Sequence, residues 1–194
     1  MRNFCINLDR RPERWNYVQN EFHKLGIDVE RFAAYDIKPG WVGCAKSHLE
    51  IMRMCNDENM FGIYEDDIKV LRGLSVLHKS FEQLPDDWDC LYLGASPKEP
   101  QKRYSENLFM LNNAHVTHAI IWRNRTGGAV EHILSHEHHI RKYDDYLATV
   151  VQPQFNCFVT FPMVATQIQT QSDTCTRSDV STIETNYNKY CKDE

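Results

Sequence analysis

The sequence predicts an α/β fold, and three observations predict it. The first 34 residues read as strand, helix, strand. A short apolar run, Met60 to Tyr64, ends in three consecutive carboxylates, Glu65-Asp66-Asp67. A further stretch, Trp88 to Gly94, reads as another buried strand. A strand–helix–strand unit needs a crossover and so points to a parallel sheet.

Asn3 to Leu8 is the opening strand. Pro12 is placed for the first turn of a helix, where its missing N–H costs nothing. Trp15, Val18, Phe22 and Leu25 recur at helical steps, and Gly26 follows as the C-terminal stop. Val29 to Ala34 is the second strand, and Gly43 to Cys55 the second helix. The third strand is Met60 to Tyr64, followed by a helix over Leu74 to Leu84. Residues 96–107 are polar with two prolines and read as a loop. Phe109 to Leu111 and Ala114 to Trp122 pair as a hairpin across Asn112-Asn113 in this reading. Asn124 to His139 and Tyr143 to Leu147 read as helices and Phe155 to Phe161 as a strand, with irregular chain after Pro162. Nothing marks a second domain, so residues 1–194 are one unit with a less regular tail after about residue 174.

The composition bounds the partners. Of 194 residues, 42% are hydrophobic and 25% charged, ordinary for a globular protein. Lys plus Arg is 22 against 27 Asp plus Glu, a net charge of -5, which argues against a nucleic-acid partner. No apolar run reaches membrane-spanning length and no signal-peptide core opens the chain, so a cytoplasmic protein is expected. The seven cysteines form no C-x-x-C pair and read as reduced thiols, not a zinc site.

Three adjacent acids repel one another, and a hard divalent cation is the natural counter-charge. At the carboxyl end of a strand they stand where open α/β sheets bind ligands. Carboxylate-held Mn²⁺ or Mg²⁺ commonly serves a phosphate. Taken alone, the triplet favours the plainer reading, a solvated acidic turn.

Several pieces in order resemble glycosyltransferase family 25, which includes lipooligosaccharide and collagen galactosyltransferases. They are Ile6-Asn7-Leu8-Asp9-Arg10-Arg11 with Arg14, Arg31-Phe32-Ala33-Ala34 with Asp36, Gly43-Cys44-Ala45-Lys46-Ser47-His48, and Tyr64-Glu65-Asp66-Asp67. Further on come Trp88-Asp89 with Leu91-Tyr92-Leu93-Gly94, Thr117-His118-Ala119, Asp144-Asp145-Tyr146-Leu147 and Gln171-Ser172-Asp173. The resemblance implies a GT-A-like nucleotide-binding domain with a mostly parallel mixed sheet flanked by helices. It also implies an inverting transfer of galactose or a related hexose from a UDP-sugar to a hydroxyl of a glycan or glycoprotein, as in lipopolysaccharide biosynthesis. Mn²⁺ or Mg²⁺ would sit at Glu65, Asp66 and Asp67. A basic C-terminal extension of the kind some members use near membranes is not expected here, and peripheral membrane contact stays open.

Under that resemblance Asn7, Leu8, Asp9, Arg14, Asp36 and Ser47 contact the nucleotide, and Ser172 and Asp173 close over the donor. An isolated Arg14 reads more readily as a solvated helix residue, and Asp36 has the alternative of a turn residue. The acceptor hydroxyl must lose a proton, and Asp144, with Asp145 second, is the expected base; Asp144 as a helix cap is the plainer alternative. His48 is expected against the donor phosphate or the acceptor, and His118 in the acceptor wall, each weighed against a packed core histidine. His132, His136, His138 and His139 read as a solvated helix end rather than a metal site. A non-catalytic nucleotide-sugar or glycan binder and a metal-dependent nucleotidyltransferase are the alternative functions. The absence of a Gly-x-x-x-x-Gly-Lys loop and of a Gly-x-Gly-x-x-Gly fingerprint removes two common nucleotide sites.

Overall fold

The computed structural model describes residues 1–168 and 181–192. Along the chain its elements are β1 (Arg2–Asn7), α1 (Pro12–Leu25), β2 (Glu30–Ala33), α2 (Gly40–Met54), β3 (Met60–Glu65), β4 (Ile68–Val70) and α3 (Leu74–Glu82). Next come β5 (Cys90–Tyr92), β6 (Ser96–Pro97), β7 (Lys102–Ser105), β8 (Leu108–Met110), β9 (Ala114–His115) and β10 (Ala119–Arg123). The last are α4 (Ala129–Ser135), α5 (Tyr143–Tyr146), β11 (Cys157–Thr160), β12 (Ala165–Gln167) and α6 (Ser181–Tyr190).

The central sheet has the order β2-β1-β3-β10-β5-β11-β8-β7. β1 is parallel to β2 and β3, and β5 to β11, while β10 and β8 run against their neighbours. Thus β2, β1, β3, β5, β11 and β7 share one direction, the mostly parallel mixed sheet expected. Helices cover both faces, because β1 alternates: Phe4 and Ile6 pack with Leu49, Ile51 and Met52 of α2, and Cys5 packs with Val18, Phe22 and Leu25 of α1. Each large side chain so buried contributes about 1.5–3 kcal/mol.

Local chemistry sets the first half of the chain. Pro12 opens α1, and Gly26 closes it at φ 60, with its N–H on His23 O. Glu21 is buried on α1 because its carboxylate accepts the Val70 N–H at 2.7 Å, which ties α1 to β4.

The second half departs from the reading of the sequence in five places. β8 and β10 do not form a hairpin: β8 pairs with β11 and β7, and β10 lies between β3 and β5. Residues 96–107 contain β6 and β7 rather than only loop. The helix foreseen over 124–139 is confined to α4 and a single 3-10 turn, Glu137–His139, since Gly127 takes φ 70 and Gly128, the N-cap of α4, is extended. After Pro162 the chain forms β12, which pairs antiparallel with β4. In the tail, α6 is regular, and Ile183, Tyr187 and Cys191 join the core.

Candidate functional site

A cleft of about 570 Å³ opens at the carboxyl ends of β1, β2 and β3. The crossovers place β2 on one side of β1 and β3 on the other, and a crevice at such a reversal is where open α/β sheets bind ligands. The chain after β2 forms one rim. It lies tight on α2, since a Cβ on Gly43 would meet Tyr35 O at 2.1 Å. Ser47 fastens the same contact: its Oγ accepts the Tyr35 N–H at 3.1 Å and donates to Gly43 O at 2.8 Å. Ser47 therefore lines the cleft with its hydroxyl already used by backbone.

The three acids have separate surroundings. Glu65 Oε1 accepts the Thr117 hydroxyl at 2.6 Å and His48 Nε2 at 3.3 Å. Burial pushes its carboxyl up, but those two hydrogen bonds and the histidine charge outweigh burial, and it sits below the usual range. Asp66 turns inward: Asn7 Nδ2 donates to Oδ2 at 2.6 Å and Arg14 Nη1 to Oδ1 at 2.9 Å. Burial nonetheless leaves its carboxyl raised. Among the described residues, Asp67 receives the Gln167 amide, 3.2 Å from each oxygen. Burial first, then the charges of Glu65 and Asp66, push it up to about 7.

The same cleft holds a second group. His115 Nδ1 is 3.4 Å from Asp145 Oδ1 and 4.0 Å from Asp144 Oδ2. His115, Asp144 and Lys142 line the cleft; Asp145 is not among its wall residues. Asp144 is not a helix cap, since Lys142 holds the N-cap position of α5 and no side chain caps it. Next to His115, Val116 takes φ 73, a left-handed conformation costly for a β-branched residue.

No family model matches the chain. A glycosyltransferase 25 family member of Aedes aegypti is 32% identical over 47% of this chain, and the match spans 20% of that relative's length. Among solved structures, A197 from STIV has a TM-score of 0.48 at 10% identity, covering 88% of this chain and 87% of that one. The inositol-1-phosphate CTP transferase from T. maritima has a TM-score of 0.47 at 14% identity, covering 96% and 78%. At these scores neither structure carries an argument about chemistry.

The cleft brings together Leu8, Arg14, Asp36, Ser47, the acidic triplet and Asp144. Asn7 stands just behind it, buried, as a connector: besides Asp66 it accepts from Arg31 Nε at 2.8 Å. Arg14 is buried against Asp66, not on a solvated helix face. Asp36 pairs with Arg10 at 2.9 Å on the rim. Asp9 lies outside the cleft, largely exposed and paired with Arg31 at 2.7 Å. Ser172 and Asp173 fall outside the described residues.

Both predicted contact histidines are corrected. His48 is fully buried behind Glu65, stacked on Tyr143 with ring centres 4.6 Å apart, and is not among the cleft walls. His118 is also fully buried, its Nε2 3.3 Å from Ala165 O, and burial lowers its proton affinity. His132 and His136 stack at 4.3 Å, and His132 bonds the Tyr146 hydroxyl at 3.2 Å, away from the cleft walls.

The donor set fits a hard divalent cation at Glu65 and Asp67, two cleft-lining carboxylates, of which Asp67 is half-buried with the Gln167 amide against it. Asp66 lines the same cleft, with an amide N–H of Asn7 and a guanidinium N–H of Arg14 already on its two oxygens. The sequence reading missed His115 and Gln167. Gln167 follows a proline in a stretch that carries no strand period, and His115 stands outside every motif.

Proposed function

We propose that the chain carries the nucleotide-sugar site of a glycosyltransferase and moves a sugar from a UDP-sugar to a hydroxyl acceptor with inversion. The observation that carries this reading is that one cleft is lined both by Glu65 and Asp67 and by Asp144 with His115. Sugar transfer from a nucleotide needs both chemistries at once: stabilisation of a departing diphosphate and removal of an acceptor proton. The partial likeness to a glycosyltransferase 25 family member supports the same class.

In this proposal Glu65 and Asp67 hold Mn²⁺ or Mg²⁺, which when bound supplies Lewis-acid stabilisation to the diphosphate oxygens. His48 and Thr117 fix the orientation of Glu65, and Gln167 that of Asp67. Lys38 and Lys98 line the cleft and add positive charge for a diphosphate. The group of Asp144, Asp145 and His115 takes the proton of the acceptor hydroxyl as its oxygen attacks the anomeric carbon. Galactose or a related hexose as the sugar, and a glycan or glycoprotein as the acceptor, belong to this proposal.

The experiment is incubation of the chain with a panel of nucleotide sugars and Mn²⁺, scoring nucleoside diphosphate release with and without a chelator. Metal-dependent release of UDP is expected. Tight binding of UDP-sugars with no release in the presence of sugar acceptors would replace the reading with a non-catalytic binder.

A further inference from the structure

We infer that His115 is the catalytic base of the acceptor side, with Asp145 and Asp144 as the carboxylates that orient its ring. The inference rests on the sugar-transfer reading and names the atom that takes the proton. His115 is a cleft wall residue with its side chain 25% exposed, so a substrate can reach it while most of the ring is held. Its Nδ1 faces Asp145 at 3.4 Å and Asp144 at 4.0 Å. Both are ion-pair distances rather than hydrogen bonds; a carboxylate that closes on Nδ1, as catalytic hydrogen bonds do when substrate binds, holds the proton there and leaves Nε2 as the lone-pair nitrogen. Nε2 is then the nitrogen left for a hydroxyl in the cleft.

Two further observations separate this from a chance surface pair. First, the backbone is held: β9 pairs with β6 through Ser96 and His115, and Gln152 Oε1 accepts the Ala114 N–H at 2.8 Å. Asn113 and Val116, on either side of β9, both take positive φ, 46 and 73. Strain of this kind persists only where the surroundings over-determine it, and it clusters at working sites. Second, Asp144 and Asp145 are about half exposed, at 48% and 50%. A carboxylate in contact with water is a weak base near neutral pH, while imidazole is matched to proton transfer there. Around the ring stand Asp144, Asp145 and Lys142 from α5 and its start, and Lys98, just past β6, lines the same cleft.

The step balances simply. The acceptor O–H proton passes to His115 Nε2 as the oxygen forms its bond to the anomeric carbon of the nucleotide sugar. The bond from that carbon to the diphosphate breaks, and the nucleoside diphosphate leaves with the electron pair.

The test uses the full chain with UDP-galactose and Mn²⁺, scoring UDP release to water and to a panel of sugars across about pH 5 to 9. His115→Gln is expected to lower kcat about 10²-fold or more at unchanged donor KM, and to remove the acid limb of the rate profile. Asp145→Asn is expected to lower kcat about tenfold and keep that limb. If His115→Gln retains wild-type rate while Asp144→Asn loses it, the carboxylate is the base and the inference fails. His115→Asn replaces the glutamine variant should that one melt early. Nitrogen-15 spectra of histidine-labelled protein decide the pairing without turnover: the Nδ1–H tautomer is expected for His115, with a resonance moved by Asp145→Asn. The Nε2–H tautomer would overturn the inference. A wild-type protein that releases no nucleotide from any donor defeats the sugar-transfer reading instead, and the spectra still decide whether the carboxylates hold the ring.

Discussion

Arg14 and Asp66 form a 2.9 Å ion pair whose side chains are only 10% and 9% exposed. The pair joins α1 to the end of β3, and Asn7 of β1 completes it. Its effect is to fix the middle acid of the triplet, which lines the same cleft as Glu65 and Asp67. A buried pair adds little over apolar packing, but breaking one strands a charge at a cost of about 3–5 kcal/mol. Arg14→Met is therefore expected to destabilise the fold by about 3 kcal/mol in urea unfolding, because Asp66 is left beside two other carboxylates. A loss below about 1 kcal/mol would mean that water replaces the guanidinium.

Asp67 gives a pH dependence with a definite sign. Its carboxyl is raised from 3.8 to about 7 by burial and by its acidic neighbours. A carboxyl raised on folding favours the folded state while protonated, so its contribution is full below the unfolded value and is lost as pH rises toward and through about 7. Glu65, held below its usual value, acts in the opposite direction, and its contribution is lost as pH falls. The difference between wild type and Asp67→Asn isolates the first effect. Without added metal, the variant should gain stability on wild type between about pH 4 and 7. With Mn²⁺ the order should reverse, because a bound cation favours the ionised acid and its binding releases a proton. Melting curves across pH, with and without Mn²⁺, read both. A wild type whose stability relative to Asp67→Asn does not change over that range would remove the buried charge from the account.

The left-handed Val116 predicts an inversion of a common rule. At ordinary positions glycine is less stable than alanine by about 0.5–1 kcal/mol. At φ 73 alanine keeps the steric penalty and glycine does not. Val116→Gly should therefore unfold at higher urea than Val116→Ala, by about 1 kcal/mol. The reverse order would show that the strain is absent in solution.

Much of the first 95 residues was legible because local signals and tertiary structure agree there. Pro12 and Gly26 mark the ends of α1, the spacing of Val18, Phe22 and Leu25 gives its buried face, and the apolar run into Glu65-Asp66-Asp67 marks a strand end. The later half was harder for a physical reason. Strands β6, β9 and β12 are two or three residues long, too short to show a period, and exist only because partners elsewhere pair with them. At the site, residue types suggested which groups carry charge but not which way they face. Asp66 and His48 look as available as Asp67 in one dimension, and only the positions of Arg14, Asn7 and Tyr143 show that both are used inside the fold.

Helix α6 closes the core beyond the cleft, and it tests how far the C-terminal part supports the site. Ile183 is 4% exposed, packs in the main core cluster and also lines the cleft. Tyr187 is buried beside it and donates its hydroxyl to Thr160 O on β11. Ile183→Ala removes buried methyl groups and should cost about 2–4 kcal/mol, with the larger loss if the site cannot collapse. Tyr187→Phe keeps the ring but leaves the buried Thr160 carbonyl without this donor, at a cost of about 1–2 kcal/mol. Both changes belong to one helix face, so the double variant should lose less than the sum if α6 detaches as a unit. Urea unfolding of the two single variants and the double variant measures this. Full additivity with small single losses would mean that α6 contributes little to the core, and that the cleft wall at Ile183 is held by the rest of the fold.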